Sequence, residues 1–422
     1  MLRTWSLAIL CSFSMLAVLG CGGDPALESD GNASADESAV ETNSAAAPRE
    51  REVRPVAARM VTTEEAQQFA DKMKQAYDDN DTRTFDGMID WDTMAMRATA
   101  GLDLSESDRT EVMNGLQVGM RSVGSFVTQI RRGGGNTADY QLVNILEKDG
   151  NRVVIFRASG DNGVNYHQYT LQRVDGQLKA VDLYVFLTGE TITETWRRGL
   201  LPHVAEMNKN WLQRATSKES AYVQSIDKVS QFQNLVLSGQ SDAQAWNLFY
   251  SLPEEVRFSK GMLIQAYALS NRTGEDKIME ISNAIRTHHS DATGLELMLI
   301  DSLLIAEKYD EALQALDAVD QAVGGDPYVD ALRGNTYLLQ ENYPKAMEYF
   351  DKVMETGLDM DTAFYGTVAA GLPLKEFTKV AAAMETLEER YGVVWGDLRS
   401  LAEYREFLES PEGQYWMETH NY

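Results

Sequence analysis

The chemistry-bearing residues that fall closest together in this chain are His167, Tyr169, Asp182 and Tyr184. They sit in two β-rich runs, Val164–Val174 and Leu178–Leu187, joined by Asp175-Gly176, a strong hairpin dipeptide. If that dipeptide forms a two-residue loop, His167 lies opposite Tyr184, Tyr169 opposite Asp182 and Leu171 opposite Ala180, all on one face. A two-residue loop at Asn162-Gly163 adds Phe156 and Ala158 to that face and leaves Thr170, Val181, Leu183, Val185 and Leu187 on the other. Such a face could form a small-molecule pocket, with His167 or Asp182 as acid or base and Tyr184 or Tyr169 as hydrogen-bond donor. The competing reading is a half-buried sheet of satisfied cross-strand pairs, because aromatics favour strands for packing reasons alone.

Other chemical signals are thin. His203 follows Pro202, His288-His289 end a helical run and His420 sits near the C-terminus; none has the partners of a zinc set. Phosphate-loop, dinucleotide and nucleophile-elbow patterns are absent, and Arg131-Arg132-Gly133-Gly134-Gly135 lacks the strand–loop–helix context of a phosphate cradle. Asp78–Asp81 lacks the calcium-loop pattern. No cofactor and no metal are expected. The formal charge of −26, from 64 acidic and 38 basic residues, argues against nucleic acid and against an anionic bilayer surface.

The elements that must position these residues begin at Thr62-Thr63-Glu64-Glu65, which has capping-box spacing. Ala66, Phe69, Met73, Ala76 and Tyr77 then share a helical face. Short helices are expected near Phe85–Ile89 and Trp91–Thr99. Ser105 should cap a longer one with a stripe of Val112, Leu116, Met120 and Val123, and Gly133–Gly135 should break the chain. Four runs, Tyr140–Lys148, Arg152–Ser159, Val164–Val174 and Leu178–Leu187, separated by Asp149-Gly150, Asn162-Gly163 and Asp175-Gly176, predict a four-stranded antiparallel meander. Helices followed by a meander over 61–200 resemble, in element order, the cystatin-like and NTF2-like α+β folds. These host both enzymes and inert dimerisation modules.

From Leu201-Pro202 onward the pattern is helical. Ala312, Ala346 and Val380 recur every 34 residues, as do Tyr309, Tyr343 and Phe377, and Leu316, Phe350 and Met384. Ile300, Gly334 and Val368 hold the position where two helices cross. That period, with Gly334, Tyr337, Tyr343, Ala346 and Phe350 in the second unit, resembles the tetratricopeptide repeat. The resemblance covers 293–394 firmly, extends to 259–292 and fades at 226–259, where Ala245 holds the small-residue slot. It implies a multidomain chain in which an α+β domain precedes an all-α solenoid over 201–394. It also implies a groove that binds a protein partner, with Asp330, Arg333, Asn335 and Tyr337 as candidate contacts. Trp395, Leu398, Leu401, Tyr404, Phe407 and Trp416 break the register, so 395–422 is expected to cap the stack.

At the N-terminus, Arg3 precedes an apolar run, Trp5–Leu19, too short for a comfortable span. Its end, Val18-Leu19-Gly20-Cys21, resembles the lipobox of bacterial lipoproteins. The resemblance implies removal of residues 1–20, lipidation of Cys21 and, with Gly22 following, an outer-membrane address facing the periplasm. Segment 21–60 has the composition of a disordered tether. The sequence therefore points to a lipid-anchored cell-envelope scaffold without enzymatic activity. The alternatives are an enzyme or small-ligand binder using the α+β pocket, and an envelope assembly factor.

Overall fold

The computed structural model describes residues 60–420 other than 103, 123, 162, 208–213, 291–293 and 359. The expected signal segment, Cys21 and the tether thus lie outside the described residues, as do Val123 and the side chain of Met120. No helix among the described residues is long and apolar enough to cross a membrane.

Five helices lead into the sheet. The first, α1 (Thr63–Asp78), starts at the anticipated capping box: Glu65 N–H donates to Thr62 Oγ1 at 3.2 Å, and the Glu65 carboxylate accepts from Thr62 N–H at 2.9 Å. Phe69, Met73, Ala76 and Tyr77 form its buried stripe. Asp81 and Asp90 cap the short α2 (Thr82–Gly87) and α3 (Trp91–Thr99). Ser105 Oγ accepts from Asp108 N–H at the head of α4 (Glu106–Ser122), which buries Val112 and Leu116. The glycine run does not break the chain where the sequence suggests. Gly133 and Gly134 complete a fifth helix, α5 (Phe126–Gly134), and Gly135, at φ +77°, ends it.

The α+β class is present, as five antiparallel strands in sequence order: β1 (Asp139–Lys148), β2 (Asn151–Gly160), β3 (Gly163–Val174), β4 (Gln177–Val185) and a two-residue β5 (Glu190–Thr191). Leu187 lies beyond β4, in a 3₁₀ turn at Phe186–Thr188. Asp149-Gly150 and Asp175-Gly176 form two-residue hairpins with positive φ at both positions, as type I′ turns require. The middle hairpin instead pairs Gly160 with Gly163, so Phe156 opposes His167; the pairing moves by two and the face is kept.

The β3–β4 register is where the sequence expectation fails. Leu171 pairs with Ala180 as anticipated, but Thr170 pairs with Asp182, leaving Val181 as a bulge. Beyond it Tyr169 opposes Leu183 and His167 opposes Val185, while Asp182 and Tyr184 join the face of Thr170 and Gln168. One inserted residue exchanges the two sets of side chains, because the strand period is two.

After β5, α6 (Ile192–Met207) runs through Leu201 and Pro202 rather than stopping there, so the expected boundary at 200 falls inside a helix. Two further helices, α7 (Ser217–Gln224) and α8 (Ile226–Ser238), precede α9 (Asp242–Ser251) and the single turn α10 (Glu254–Arg257), where Pro253 is the cap. Then come four hairpins of helices: α11 (Lys260–Thr273) with α12 (Glu275–His288), α13 (Leu295–Ile305) with α14 (Tyr309–Val323), α15 (Pro327–Leu339) with α16 (Tyr343–Glu355), and α17 (Asp361–Leu374) with α18 (Phe377–Tyr391). The second helices begin at Glu275, Tyr309, Tyr343 and Phe377, a constant interval of 34 residues. Ala266, Ile300 and Val368 are buried at the crossing position, and Ala245, Ile278, Ala312, Ala346 and Val380 on the second helices. The stack ends in two 3₁₀ turns, α19 (Arg405–Glu409) and α20 (Pro411–His420). Their Leu398, Tyr404, Phe407 and Trp416 close the core over Val380 and Leu387. This is the expected cap.

A sheet domain and a repeat array strung in series would each have a separate core. Here part of the burial is shared. One sheet face packs Tyr140, Val154, Phe156, Tyr169 and Leu183 on α1, α2, α3 and α5. The other contributes Ile155 and Tyr166 to the same core as Leu295, Met298, Leu316 and Val323 of the solenoid. Polar groups cross the same boundary. Arg157 pairs with Asp326 at 2.6 Å, Asn144 Nδ2 donates to Gly324 O at 2.7 Å, and Lys148 Nζ donates to Ala322 O at 3.0 Å.

Candidate functional site

Of the four residues read as a pocket, the sheet brings together only His167 and Tyr169. The link is Tyr140, whose hydroxyl lies 3.1 Å from His167 Nδ1 and 2.7 Å from Tyr169 Oη. The amide orientation of Asn165 assigns the protons. Its Oδ1 accepts from the N–H groups of Tyr166 and Leu187, so its Nδ2 is turned toward His167 Nε2 at 3.4 Å. The imidazole then carries its hydrogen on Nδ1 and donates it to Tyr140, which donates onward to Tyr169. Burial pushes His167 down to about 4 and the Tyr169 phenol up. A base at about 4, capped on one side by an amide donor, is a satisfied core group rather than a poised catalyst.

Asp182 and Tyr184 are elsewhere. Burial pushes the Asp182 carboxyl up; it accepts from Thr193 Oγ1 at 2.6 Å and lies 3.9 Å from Arg97. Tyr184 packs edge-on against Phe186 at 5.4 Å, on the solenoid side. The sign of the His167 contribution follows from burial. Its folded form binds a proton less readily than the unfolded chain, so stability is full above about pH 6.5 and falls as pH drops toward 4, by about 3 kcal/mol. Thermal unfolding of His167→Gln is therefore expected to show a flatter acid limb than wild type between pH 6.5 and 4.5, whatever its melting temperature at pH 7.

A large concavity, with a volume of about 2780 Å³, lies between the sheet's end and the inner face of the solenoid. β2, β3 and α5 supply one wall, through Ala158, Val164 and Phe126; α13, α15 and α17 supply the other, through Ile300, Leu332 and Tyr365; Val394 and Leu401 close its far end. Ile305, Tyr365, Val394 and Leu401 are large apolar residues left exposed there. Six carboxylates line the groove, those of Asp139, Asp161, Asp301, Asp361, Glu403 and Glu406, against Arg132, Arg157 and Lys375. Two of these cations are already engaged, Arg157 by Asp326 and Lys375 by Glu406.

Asp301 stands apart within this wall. Among the described residues its carboxyl has no hydrogen-bond or ion-pair partner, and burial alone pushes it up to about 6. It sits on α13 close enough to Tyr267 and Tyr328 to raise both phenols. The folded state holds this proton more tightly than the unfolded chain, so its contribution is full below about pH 3.8 and lost as pH rises through 6. Asp301→Asn should raise the melting temperature at pH 7.5, by the equivalent of up to about 3 kcal/mol less screening by groove water, and change it little at pH 4. Calorimetry at the two pH values checks this.

The candidate repeat contacts divide as well. Asn335 lines the groove. Arg333 and Asp330 do not reach it: Arg333 bonds Asp330 at 2.7 Å, Asp317 at 2.8 Å and Asp320 at 3.1 Å, while Lys352 takes the other Asp330 oxygen at 2.6 Å. Both are buried in a cluster that ties α14, α15 and α16 together. Tyr337 stacks on Tyr349 at 5.6 Å. Asp301, Tyr328 and Tyr365 were not singled out by the sequence pattern, although each follows from the first helices lining the concave side. Among the described residues no group of His, Cys, Asp and Glu could hold a metal ion. His289 bonds Phe258 O, His288 stacks on Phe258 and His420 meets Glu388. Comparison with protein-family models, curated proteins and solved structures finds no match to this chain.

Proposed function

We propose that this chain is a lipid-anchored cell-envelope scaffold that holds an extended segment of a partner protein in the groove between solenoid and sheet. The groove itself carries the reading. At about 2780 Å³ it is several times the size of an ordinary small-molecule site, and it leaves large apolar side chains uncovered. The 34-residue helical hairpins support the tetratricopeptide likeness, in which the concave face receives a ligand. The separation of Asp182 from His167 weakens the enzymatic alternative. The lipobox at Val18–Cys21 supports the anchor.

A photo-crosslinking amino acid at Tyr365, inside the groove, and at Tyr415, exposed away from it, tests the reading in cells. A discrete protein captured from position 365 and not from 415 is the expected outcome; equal labelling from both sites overturns it. Cys21→Ala is expected to release the protein from membranes and abolish fatty-acid labelling. Retention on membranes of an unlabelled protein in both forms would sink the anchor.

A further inference from the structure

The groove has an unpaired carboxylate and an excess of negative charge on an apolar floor, a combination that fits an extended segment with guanidinium groups spaced among small apolar residues. This chain contains such a segment. Residues 49–59 read Arg-Glu-Arg-Glu-Val-Arg-Pro-Val-Ala-Ala-Arg, four arginines against two glutamates, directly ahead of α1. Residues 21–48 hold six carboxylates and no cation, so the change of sign at Arg49 is abrupt.

We propose that, in the absence of a partner, the chain's own Arg49–Arg59 segment occupies the groove, with one of its guanidiniums paired to Asp301. The inference rests on the groove being a segment-binding site, as argued above, and adds its resting occupant.

Reach permits it. The described chain begins beside the start of β2, where Val61 O accepts from Arg152 Nε. The groove wall begins further along the same strand, at Arg157 to Gly160, about 17–26 Å away at ~3.3 Å per residue. An extended run over 53–60 covers about the same distance, which brings Arg49–Arg54 level with the groove. The charges also agree. Arg157 and Lys375 are already paired within the protein, which leaves Arg132 alone against the groove's other carboxylates, an imbalance that an incoming arginine would reduce. A guanidinium beside Asp301 would give this half-buried, unpartnered carboxylate a charge-assisted hydrogen bond. Val53 and Pro55, which the same spacing brings level with Arg157–Gly160, give the segment apolar contacts at the groove wall, and Pro55 favours an extended backbone.

The functional consequence is regulation by competition. A partner must displace residues 49–59 to enter, so the apparent affinity falls by the fraction of groove already filled.

The test uses the purified full-length mature chain with the photo-crosslinker at Tyr365, illuminated at low concentration. The expected result is an intramolecular crosslink to a peptide within residues 49–59, reduced about tenfold by Arg49→Gln/Arg51→Gln/Arg54→Gln and also by Asp301→Asn. The triple substitution lies ahead of α1, so the fold is retained, and it should increase in-cell capture of a partner from position 365. Crosslinks to a second copy, to other parts of the chain or to nothing overturn the inference. If the purified chain gives no self-crosslink while cells still yield a discrete partner, the occupant is wrong and the groove reading stands. If neither is captured, both fall.

Discussion

Asp326→Ala is expected to destabilise the protein by about 3–5 kcal/mol. Three interactions end on that one carboxylate. Its Oδ1 accepts from Arg157 at 2.6 Å, its Oδ2 from the Tyr166 hydroxyl at 2.8 Å, and Oδ1 also receives Tyr328 N–H at 3.0 Å, which caps α15. The pair is almost fully enclosed, with side-chain exposures of 6% for Arg157 and 1% for Asp326. Removing the acid strands a guanidinium between sheet and solenoid and removes a cap worth about 1 kcal/mol. Arg157→Met in the Asp326→Ala background should recover most of the loss, because the stranded charge is then gone. Urea unfolding of the four proteins of the cycle measures this. Strict additivity would mean that Arg157 and Asp326 do not depend on one another.

Gly366→Ala is the second large effect, expected at about 1–3 kcal/mol of destabilisation with a melting temperature lower by several degrees. The Phe350 ring is fully buried between α15 and α17 and rests on two glycines. A Cβ at Gly366 would stand 2.2 Å from Phe350 Cζ, and one at Gly334 2.6 Å from its Cε1. Neither glycine is needed for a left-handed backbone; both are needed for the ring. The neighbours are core side chains held by packing, so relief requires moving a helix. Phe350→Leu combined with Gly366→Ala should therefore be more stable than the sum of the single effects. Gly115→Ala provides the control. It is exposed in α4, nothing lies within 4 Å of its would-be Cβ, and replacement there should stabilise by about 0.5–1 kcal/mol. If the two Gly→Ala changes give similar shifts, the ring contact is not what limits the site.

These two positions also show what could be read in advance. Gly334 and Phe350 were visible as members of a 34-residue register, because each repeat buries the same face against its neighbour and so demands the same residue types at the same interval. Gly366 belongs to the next unit and breaks no local rule, so only the packing of α17 against α16 reveals its role. Asp326 is similar. As a residue before Pro327 it reads as a helix cap and is one, but nothing in its neighbourhood points to Arg157, 169 residues earlier.

The candidate site divides along the same line. Hairpin dipeptides and alternation placed β3 beside β4 and set Leu171 against Ala180, since turn chemistry and a two-residue period are local properties. The bulge at Val181 is not local. It lies in a sheet packed by helices on one face and by the solenoid on the other, and it sends Asp182 away from His167. For the same reason Arg333 and Asp330, plausible groove residues by repeat position, are absorbed by Asp317, Asp320 and Lys352, whose approach depends on how three helices stack.

Short-range chemistry was thus sufficient for the capping box at Thr62, the hairpins, the 34-residue interval and the aromatic cap, because each is governed by contacts within one or two elements. The groove arises only when a sheet from the first part of the chain fills one side of the solenoid's inner surface. That arrangement comes from burial shared between Tyr166, Phe186 and Leu295, residues up to 129 positions apart, which no local pattern encodes. It leaves Asp301 without a hydrogen-bond or ion-pair partner in the groove wall and forms the concavity of about 2780 Å³ between sheet and solenoid.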